Sequence, residues 1–113
     1  IRLQSLVREV PISDALVDYA SDLVRATRPD TTTNDYVKKW VSWGAGPRAG
    51  QALILTAKAH ALMKGRWAVT LDDLRHVALA VLRHRVIVNF KAEAEGITSD
   101  EVTTHLLNEI KTR

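Results

Sequence analysis

The chain has 113 residues, of which 46% are hydrophobic and 26% charged, the size and composition of one ordinary globular domain. This composition argues against disorder, and no uncharged apolar stretch approaches the ~20 residues that cross a bilayer. The absence of cysteine excludes disulfides, thiol catalysis and cysteine-ligated metal sites, and it fits a reducing compartment. The net charge of +3 is spread over interleaved acids and bases, which is typical of a mixed solvated surface rather than a nucleic-acid-binding stripe. Because the chain starts at Ile1 without a signal-peptide pattern, we expect it to be a piece of a longer protein.

Two helices are predicted in the first quarter of the chain. Apolar residues at helical spacing form the first helix, which Pro11 ends because proline has no amide hydrogen to donate. Ser13 supplies an N-cap oxygen for the second helix, which we expect to end near Thr27. The predicted inner faces are Leu3, Leu6, Val7 and Val10 in the first helix, and Leu16, Val17, Ala20, Leu23 and Val24 in the second.

The middle of the chain combines a loop, an ambiguous stretch and a long helix. Residues 28–34 form a loop by composition, and residues 35–43 fit a helical turn followed by an extended segment. Pro47 suits the first position of a third helix that runs to about Lys64, with Gly65 as its left-handed C-terminal cap. The predicted inner face is Ala49, Ala52, Leu53, Thr56, Ala59, Leu62 and Met63, whose alanines allow a neighbouring helix to approach closely.

Two further helices are predicted near the C-terminus. Thr70 caps a fourth helix, and Thr98 opens a last helix with a hydroxyl-x-x-Glu capping box. Residues 86–90, Val86 to Phe90, fit either an extended segment or a continuation of the fourth helix. The predicted inner faces are Leu74, Val77, Ala78, Val81 and Leu82, and then Val102, Leu106, Leu107 and Ile110. The sequence thus predicts an all-α fold, a small bundle of four to five helices with room for one short extended segment, in a single domain over residues 1–113.

The chemistry that this sequence lacks narrows the choice of function. It contains no G-x-x-x-x-G-K-[ST] phosphate loop, so the chain does not cradle a triphosphate by itself. We expect no metal site, because His76 and His84 on one helix would lie roughly 12 Å apart along its axis. The adjacent Asp72 and Asp73 belong to the first turn of a helix, where carboxylates stabilise the positive end of the dipole, so we predict a structural role for them. We expect the same of Arg83, His84 and Arg85 at the other end of that helix, or a contact with a neighbouring subunit.

The segment from Trp43 to Ala49 carries the most specific signal. A Gly-Pro pair fixes a helix start, and Arg48 lies on its first exposed turn. A helix N-terminus offers unpaired amide hydrogens, and a guanidinium adds a rigid cationic fork that matches phosphate oxygens. On the residues alone, anion recognition and a plain surface arginine near a helix cap both remain open.

This segment resembles the Gly-Ala-Ser-Pro-Arg-Ala motif in the lid domain of MoxR-family AAA+ ATPases, which are related to the magnesium-chelatase ATPase subunit. Four more stretches resemble family signatures, in order and with the right spacing, from about Ser13 to Val86. They are Ala26-Thr27-Arg28-Pro29, the alanine-rich run from Ala57 to Arg66, Val69-Thr70-Leu71-Asp72-Asp73-Leu74, and Val81-Leu82-Arg83-His84-Arg85-Val86. The similarity continues weakly through Glu93-Ala94-Glu95-Gly96.

The resemblance implies a C-terminal lid that packs beside a nucleotide-binding core absent from this chain. It assigns Arg48 the sensor-2 role, in which a lid arginine reaches the phosphates of ATP, and so makes it the candidate catalytic and cofactor-binding residue. ATP and Mg²⁺ are then used by the parent enzyme, and the isolated domain binds neither. One departure from the family pattern is Gly46, which replaces the usual serine, although glycine is also an acceptable N-cap.

The resemblance also implies partners and a cellular role. The parent would be a cytoplasmic, chaperone-like ATPase that couples ATP hydrolysis to motion of the lid and so matures or remodels a client. Its subunits would assemble as a hexameric ring, with a metal-ion-dependent adhesion-type protein as a further partner and without nucleic acid or a membrane span.

Two alternatives remain open on the sequence. A helical nucleic-acid-binding module has this size and charge, although no helix carries several base-reading side chains on one exposed face. A protein-interaction module would offer tryptophans to a partner. We expect Trp40, Trp43 and Trp67 to be buried in the core or at a domain interface; if they instead form an exposed patch, the missing core is the natural candidate to cover it.

Overall fold

Seven helices and two short strands follow one another in the computed structural model, which describes residues 2–110 and the side chains of residues 6–110. The helices are α1 (Arg2–Glu9), α2 (Asp14–Ala26), α3 (Asp35–Trp40), α4 (Arg48–Met63), α5 (Leu71–Leu82), α6 (Phe90–Glu95) and α7 (Ser99–Glu109). The strands are β1 (Val41–Trp43) and β2 (Ile87–Val88). The all-α prediction is confirmed, but the predicted number of helices is too low because α6 was not foreseen and α3 was left ambiguous. On the predicted face of the first helix, Val10 is buried and Val7 half-buried, but the prediction is wrong for Leu6, which is exposed, and the side chain of Leu3 lies outside the described residues. None of the described helices combines the length and the apolar composition that a membrane span requires.

The central helix is α4, which packs most extensively against α5 and also contacts α1 and α2. Four residues spaced by one turn form its buried stripe: Ala49, Leu53, Ala57 and Ala61. The predicted inner face is wrong for Thr56, which is exposed, and for Met63, whose side chain is 86% exposed. The alanines and other apolar residues of α4 lie on several of its faces, so their spacing alone does not identify the face that packs inward.

The faces of the other long helices agree with the apolar spacing. All five predicted residues of α5 are buried, and α7 buries its three predicted large residues, with Ile110 half-buried just beyond it. In α2 the prediction holds for Leu16, Ala20, Leu23 and Val24, whereas Val17 is half-buried and Tyr19 takes an inner position. These side chains and the α4 stripe form one hydrophobic core.

Capping residues set the ends of these helices much as the sequence predicts. Ser13 accepts a hydrogen bond from the amide of Leu16, and Thr98 accepts one from the amide of Glu101. Both halves of a capping box are formed at Thr70 in α5, whereas the capping box predicted at Thr98 is only half formed, because the Glu101 side chain does not return a bond to the Thr98 amide. Gly65 has φ +78°, and the amide of the residue after it donates to the carbonyl of Ala61, which closes the left-handed C-terminal cap that was predicted for α4.

The stretch from Val86 to Phe90 is extended and then turns into a helix. β2 pairs antiparallel with β1, with Val41 opposite Val88 and Trp43 opposite Ile87. The register is irregular between the two pairs, so Val41 is buried while Trp43 faces solvent, although they are two residues apart on the same strand. Asn89 then caps α6 by accepting a hydrogen bond from the amide of Ala92.

The buried hydroxyl of Thr103 forms no hydrogen bond within the described residues. Thr103 lies in α7, and its side chain is fully buried. Replacing threonine by valine keeps the shape and removes the unpaired hydroxyl, which is neutral or favourable in a folded core. We therefore expect Thr103→Val to raise the free energy of unfolding by about 0.5–2 kcal/mol in a urea titration. A loss of stability would show that this hydroxyl is paired.

Candidate functional site

The Gly44–Arg48 segment forms a tight loop that leads from β1 into α4. Pro47 adopts a helical conformation with φ −58° and ψ −30°, and the helix continues from Arg48. The amide of Ala49 donates to the carbonyl of Gly46 at 3.0 Å, which starts the helical hydrogen bonding at the glycine. The predicted helix start therefore survives the departure from the usual serine.

The end of α2 holds this loop in place through a buried threonine. The hydroxyl of Thr27 donates to the carbonyl of Val24 at 2.6 Å and accepts from the amide of Ala45 at 2.9 Å. Thr27 and Ala45 are both fully buried. A backbone amide that is buried must find a partner, and here a side chain from another helix supplies it.

Gly44 allows the same loop to approach the backbone of α2 closely. A Cβ added at Gly44 would lie 2.5 Å from both the carbonyl oxygen of Thr27 and the Cα of Arg28. No side chain can be accommodated there unless one of the two backbones moves. Gly46, in contrast, has open space around the position of an added Cβ.

These two glycines give a matched test of the close approach. We expect Gly44→Ala to lower the free energy of unfolding by about 1–3 kcal/mol, the range for forcing an extra carbon into a packed site. Gly46→Ala serves as the control and should change stability by less than about 0.5 kcal/mol, because nothing stands in its way. Equal effects of the two substitutions in urea titrations would contradict the packing of this loop against α2.

Arg48 extends from the start of α4 into solvent. It is exposed, and no side chain in the described part of the chain forms an ion pair or hydrogen bond with it. The first turn of α4 contains no acidic residue, and Pro47 provides no side-chain cap. The positive end of a 16-residue helix and an unpaired guanidinium therefore stand together, and both favour a negatively charged ligand.

A second arginine, Arg28, lies beside this loop, where it lines a surface cavity with Pro47 and Gly50 at the start of α4. Arg28 is half-buried and also lines a second surface cavity of about 340 Å³ together with Asp30, Trp43 and the backbone of residues 44–46. Arg48 does not line this cavity. The structure thus brings the loop and Arg28 together and leaves Arg48 facing outward from the domain.

The tryptophans are more exposed than predicted. Trp43 is 72% exposed, Trp67 is 51% exposed, and Trp40 is half-buried. The expectation of burial is therefore wrong within this domain for Trp43 and Trp67. Trp43 lies opposite Ile87 in the ribbon, and both side chains are exposed, so together they form an apolar face directly before the Gly44–Arg48 loop.

The two adjacent aspartates at the start of α5 are not equivalent. Asp72 is exposed, whereas Asp73 is fully buried and accepts hydrogen bonds from Arg66, from His60 Nδ1 at 2.7 Å, and from the amide of Thr70 at 2.8 Å. Burial alone would raise the pKa of Asp73, but these hydrogen bonds and the charge of Arg66 together hold that pKa below its ordinary value. The carboxylate thus ties α4, the α4–α5 connection and α5 together.

His76 and Arg83 also make contacts within the fold. His60 stacks on His76 with ring centroids 4.4 Å apart, and among the described residues no group of three potential metal ligands comes together. At the end of α5, Arg83 forms a two-pronged ion pair with Asp100, and its carbonyl accepts a hydrogen bond from Ser99. The contacts of Arg83 fasten α5 to the start of α7, and Arg85 donates to the carbonyl of Val81, as expected of structural residues. His84 is exposed and has no hydrogen bond or ion pair among the described residues.

This chain belongs to the AAA lid domain family, whose model matches residues 34–106. It is similar to Chaperone MoxR1 of Mycobacterium tuberculosis, with 37% identity over 111 residues that cover 97% of this chain and 29% of that protein. It is also similar to the Bacillus subtilis protein "Uncharacterized protein YeaC", with 30% identity over 98% of this chain and 32% of that one. The resemblance to MoxR-family lids is confirmed.

The fold is also found in a solved structure. The crystal structure of a "putative ATPase" from Cytophaga hutchinsonii superimposes on this chain with a TM-score of 0.90 and 34% sequence identity. The similarity covers 96% of this chain and 33% of that one. This chain therefore spans about a third of the length of the proteins that it resembles.

Proposed function

We propose that this domain is the lid of a MoxR-like AAA+ ATPase and that Arg48 is its sensor-2 residue, which contacts the phosphates of ATP held by a nucleotide-binding core. The observation that carries this proposal is the placement of Arg48: exposed, unpaired among the described side chains, and fixed to the start of a long helix. A guanidinium at a rigid helix start that uses none of its donors within the described part of the domain remains available to an anion outside it.

The core, rather than this domain, would supply the binding site for ATP and Mg²⁺. The chain has no phosphate-loop motif, so it would contribute a positive charge near the terminal phosphate, while the core would provide the loop that binds the phosphates. If negative charge builds up on the phosphoryl group during hydrolysis, Arg48 stabilises the transition state more than the bound ATP. That difference would make Arg48 a catalytic residue.

The apolar face formed by Trp43 and Ile87 supports a contact with the core beside Arg48. Trp43 precedes Arg48 by five positions, and it remains 72% exposed although it is a large aromatic side chain. A domain that reaches Arg48 would also cover this face and bury its apolar surface. We therefore place the side of the lid that faces the core at the ribbon and the Gly44–Arg48 loop.

ATP hydrolysis would move the lid as one body. The packed contact of α4 with α5, and of α5 with α7, makes the bundle rigid, so loss of the terminal phosphate from Arg48 changes the angle between lid and core. In a hexameric ring this motion passes to the neighbouring subunit and on to a client, which gives the chaperone-like activity. A metal-ion-dependent adhesion-type protein would be a further partner, and the lack of cysteine is compatible with a cytoplasmic location.

The test compares ATP turnover by three proteins: the full-length protein, the core without residues 1–113, and the isolated chain. We expect turnover from the full-length protein, a strongly reduced rate from the core alone, and none from the isolated chain. Turnover by the isolated chain would contradict the proposal. So would a core whose rate is unchanged when the lid is removed.

A further inference from the structure

We propose that Thr27 is a positioning residue that fixes Arg48 in the orientation from which it reaches its anion. This inference rests on the proposed function of Arg48 and adds a residue from another helix to the same site. Thr27 is fully buried, so it does not touch a ligand itself. It acts through the loop, because its hydroxyl accepts the hydrogen bond from the amide of Ala45.

The hydroxyl of Thr27 is fixed by a second hydrogen bond. It donates to the carbonyl of Val24 at 2.6 Å, one turn earlier in α2, and this bond directs its lone pairs toward the loop. The amide of Ala45 then donates to it at 2.9 Å. The hydroxyl oxygen of Thr27 thereby joins helix α2 to the loop, and all three residues that form these two hydrogen bonds are buried.

Only a short stretch of backbone separates this hydrogen bond from Arg48, which follows Ala45 by three positions. Pro47 has a fixed φ, and Ala49 is buried against the core, so the helix side of the stretch is rigid. Gly46 is the exception, because it is exposed and has open space around an added Cβ. Because Gly46 is flexible, the loop could rotate about it. The hydrogen bond at Ala45 holds the residue before Gly46 in place and so limits this rotation.

The close approach of Gly44 reinforces this restraint from the preceding residue. Its backbone lies against Thr27 and Arg28 so tightly that an added Cβ would come within 2.5 Å of them. Without the hydroxyl of Thr27, the amide of Ala45 would be a buried donor with no partner, and the loop would relieve this by moving toward water. Such a movement removes the restraint on the segment that leads into α4 and so changes how the first turn presents Arg48.

The test is a double-mutant cycle in the full-length protein, with kcat and KM for ATP measured for each variant. Thr27→Val removes the hydroxyl and keeps the shape, Thr27→Ser keeps the hydroxyl, and Arg48→Ala removes the cation. We expect Thr27→Val to lower kcat about tenfold with a smaller change in KM, because moving a catalytic group by about 1 Å can cost up to a hundredfold. Thr27→Ser should restore kcat to within about twofold of the wild type, since it retains the bonding atom.

The decisive measurement is the effect of Thr27→Val in the Arg48→Ala background. If Thr27 acts through Arg48, its loss has little further effect once Arg48 is gone, and the two effects do not multiply. Effects that multiply fully would overturn the proposal, as would a well-folded Thr27→Val protein with wild-type kcat. If Arg48→Ala alone leaves kcat unchanged, the proposed function of Arg48 is wrong, and the inference about Thr27, which depends on it, is wrong as well.

Thr103→Val controls for the general cost of removing a buried hydroxyl. Thr103 is as buried as Thr27, but it lies in α7 and its hydroxyl has no described partner, so kcat should remain at the wild-type value. If Thr27→Val does not fold, Gly44→Ala takes its place in the cycle, with Thr103→Val still as the control, because the added Cβ moves the same loop away from α2. Additive effects of Gly44→Ala and Arg48→Ala would then overturn the proposal.

Discussion

Replacing Arg48 by alanine in the full-length protein is expected to lower ATP turnover by about 10- to 100-fold, the equivalent of one charge-assisted hydrogen bond in the transition state. The fold should be unaffected, because the Arg48 side chain is exposed and contacts no described side chain as an ion pair or hydrogen-bond donor. The measurement is steady-state hydrolysis at saturating ATP, with circular dichroism to confirm the helical content.

Two further variants show whether the loss is specific to this guanidinium. Lys64→Ala removes an exposed positive charge just beyond the other end of α4, about 24 Å away at 1.5 Å per residue, and should leave turnover unchanged. Arg48→Lys keeps the charge but loses the fork that holds two phosphate oxygens, so an intermediate rate is expected. Equal rates for the wild type and Arg48→Ala would remove Arg48 from the mechanism.

The largest expected effect on stability is that of Asp73→Asn, which should lower the free energy of unfolding by about 2–4 kcal/mol. The substitution removes a buried negative charge that accepts hydrogen bonds from His60, Arg66 and Thr70. An asparagine keeps one acceptor oxygen but places an amide donor among groups that themselves donate. The capping box of α5 loses one of its two bonds as well.

Asp72→Asn is the matched control for this substitution. Asp72 occupies the same turn of the same helix and is exposed, so it contributes mainly through the helix dipole and should cost less than about 1 kcal/mol. Urea titrations of both variants and the wild type give the comparison. Similar losses for the two aspartates would contradict the assignment of Asp73 as the residue that ties α4 to α5.

The lowered pKa of Asp73 also predicts how this stability depends on pH. Because the folded-state pKa lies below the unfolded value, the contribution of the carboxylate is present above the unfolded pKa of about 3.9 and is lost as the pH falls through the folded pKa. The difference in stability between the wild type and Asp73→Asn should therefore be large at neutral pH and shrink below about pH 4. A difference that grows on acidification would contradict this direction.

The long helices could be predicted from the sequence because their apolar residues recur at helical spacing and their caps are local. The residues of α5 are the clearest case, with every predicted inner position buried. The ribbon could not be predicted in the same way, because Val41 meets Val88 and Trp43 meets Ile87 only after the chain has folded. The exposure of Trp43 has the same origin, since the irregular register turns its side chain away from the core.

In the candidate site, too, the features that depend on local sequence could be predicted and those that depend on distant contacts could not. A glycine, a proline and an arginine in one short segment are enough to predict an exposed cation at a helix start, and Arg48 lies there. The sequence indicated Thr27 as the end of the second helix and as part of a stretch that resembles the family, but not as a residue of the site. Its bond to Ala45 joins residues 18 positions apart, and no spacing rule connects a helix end to such a loop.

The most direct test of the lid assignment is a crystal structure of the full-length protein with Mg²⁺ and a non-hydrolysable ATP analogue. We expect the guanidinium of Arg48 to lie within about 2.7–3.2 Å of an oxygen on the terminal phosphate, with the Trp43 and Ile87 face buried against the core. An Arg48 side chain that remains in solvent while another residue of this domain contacts that phosphate would contradict the account.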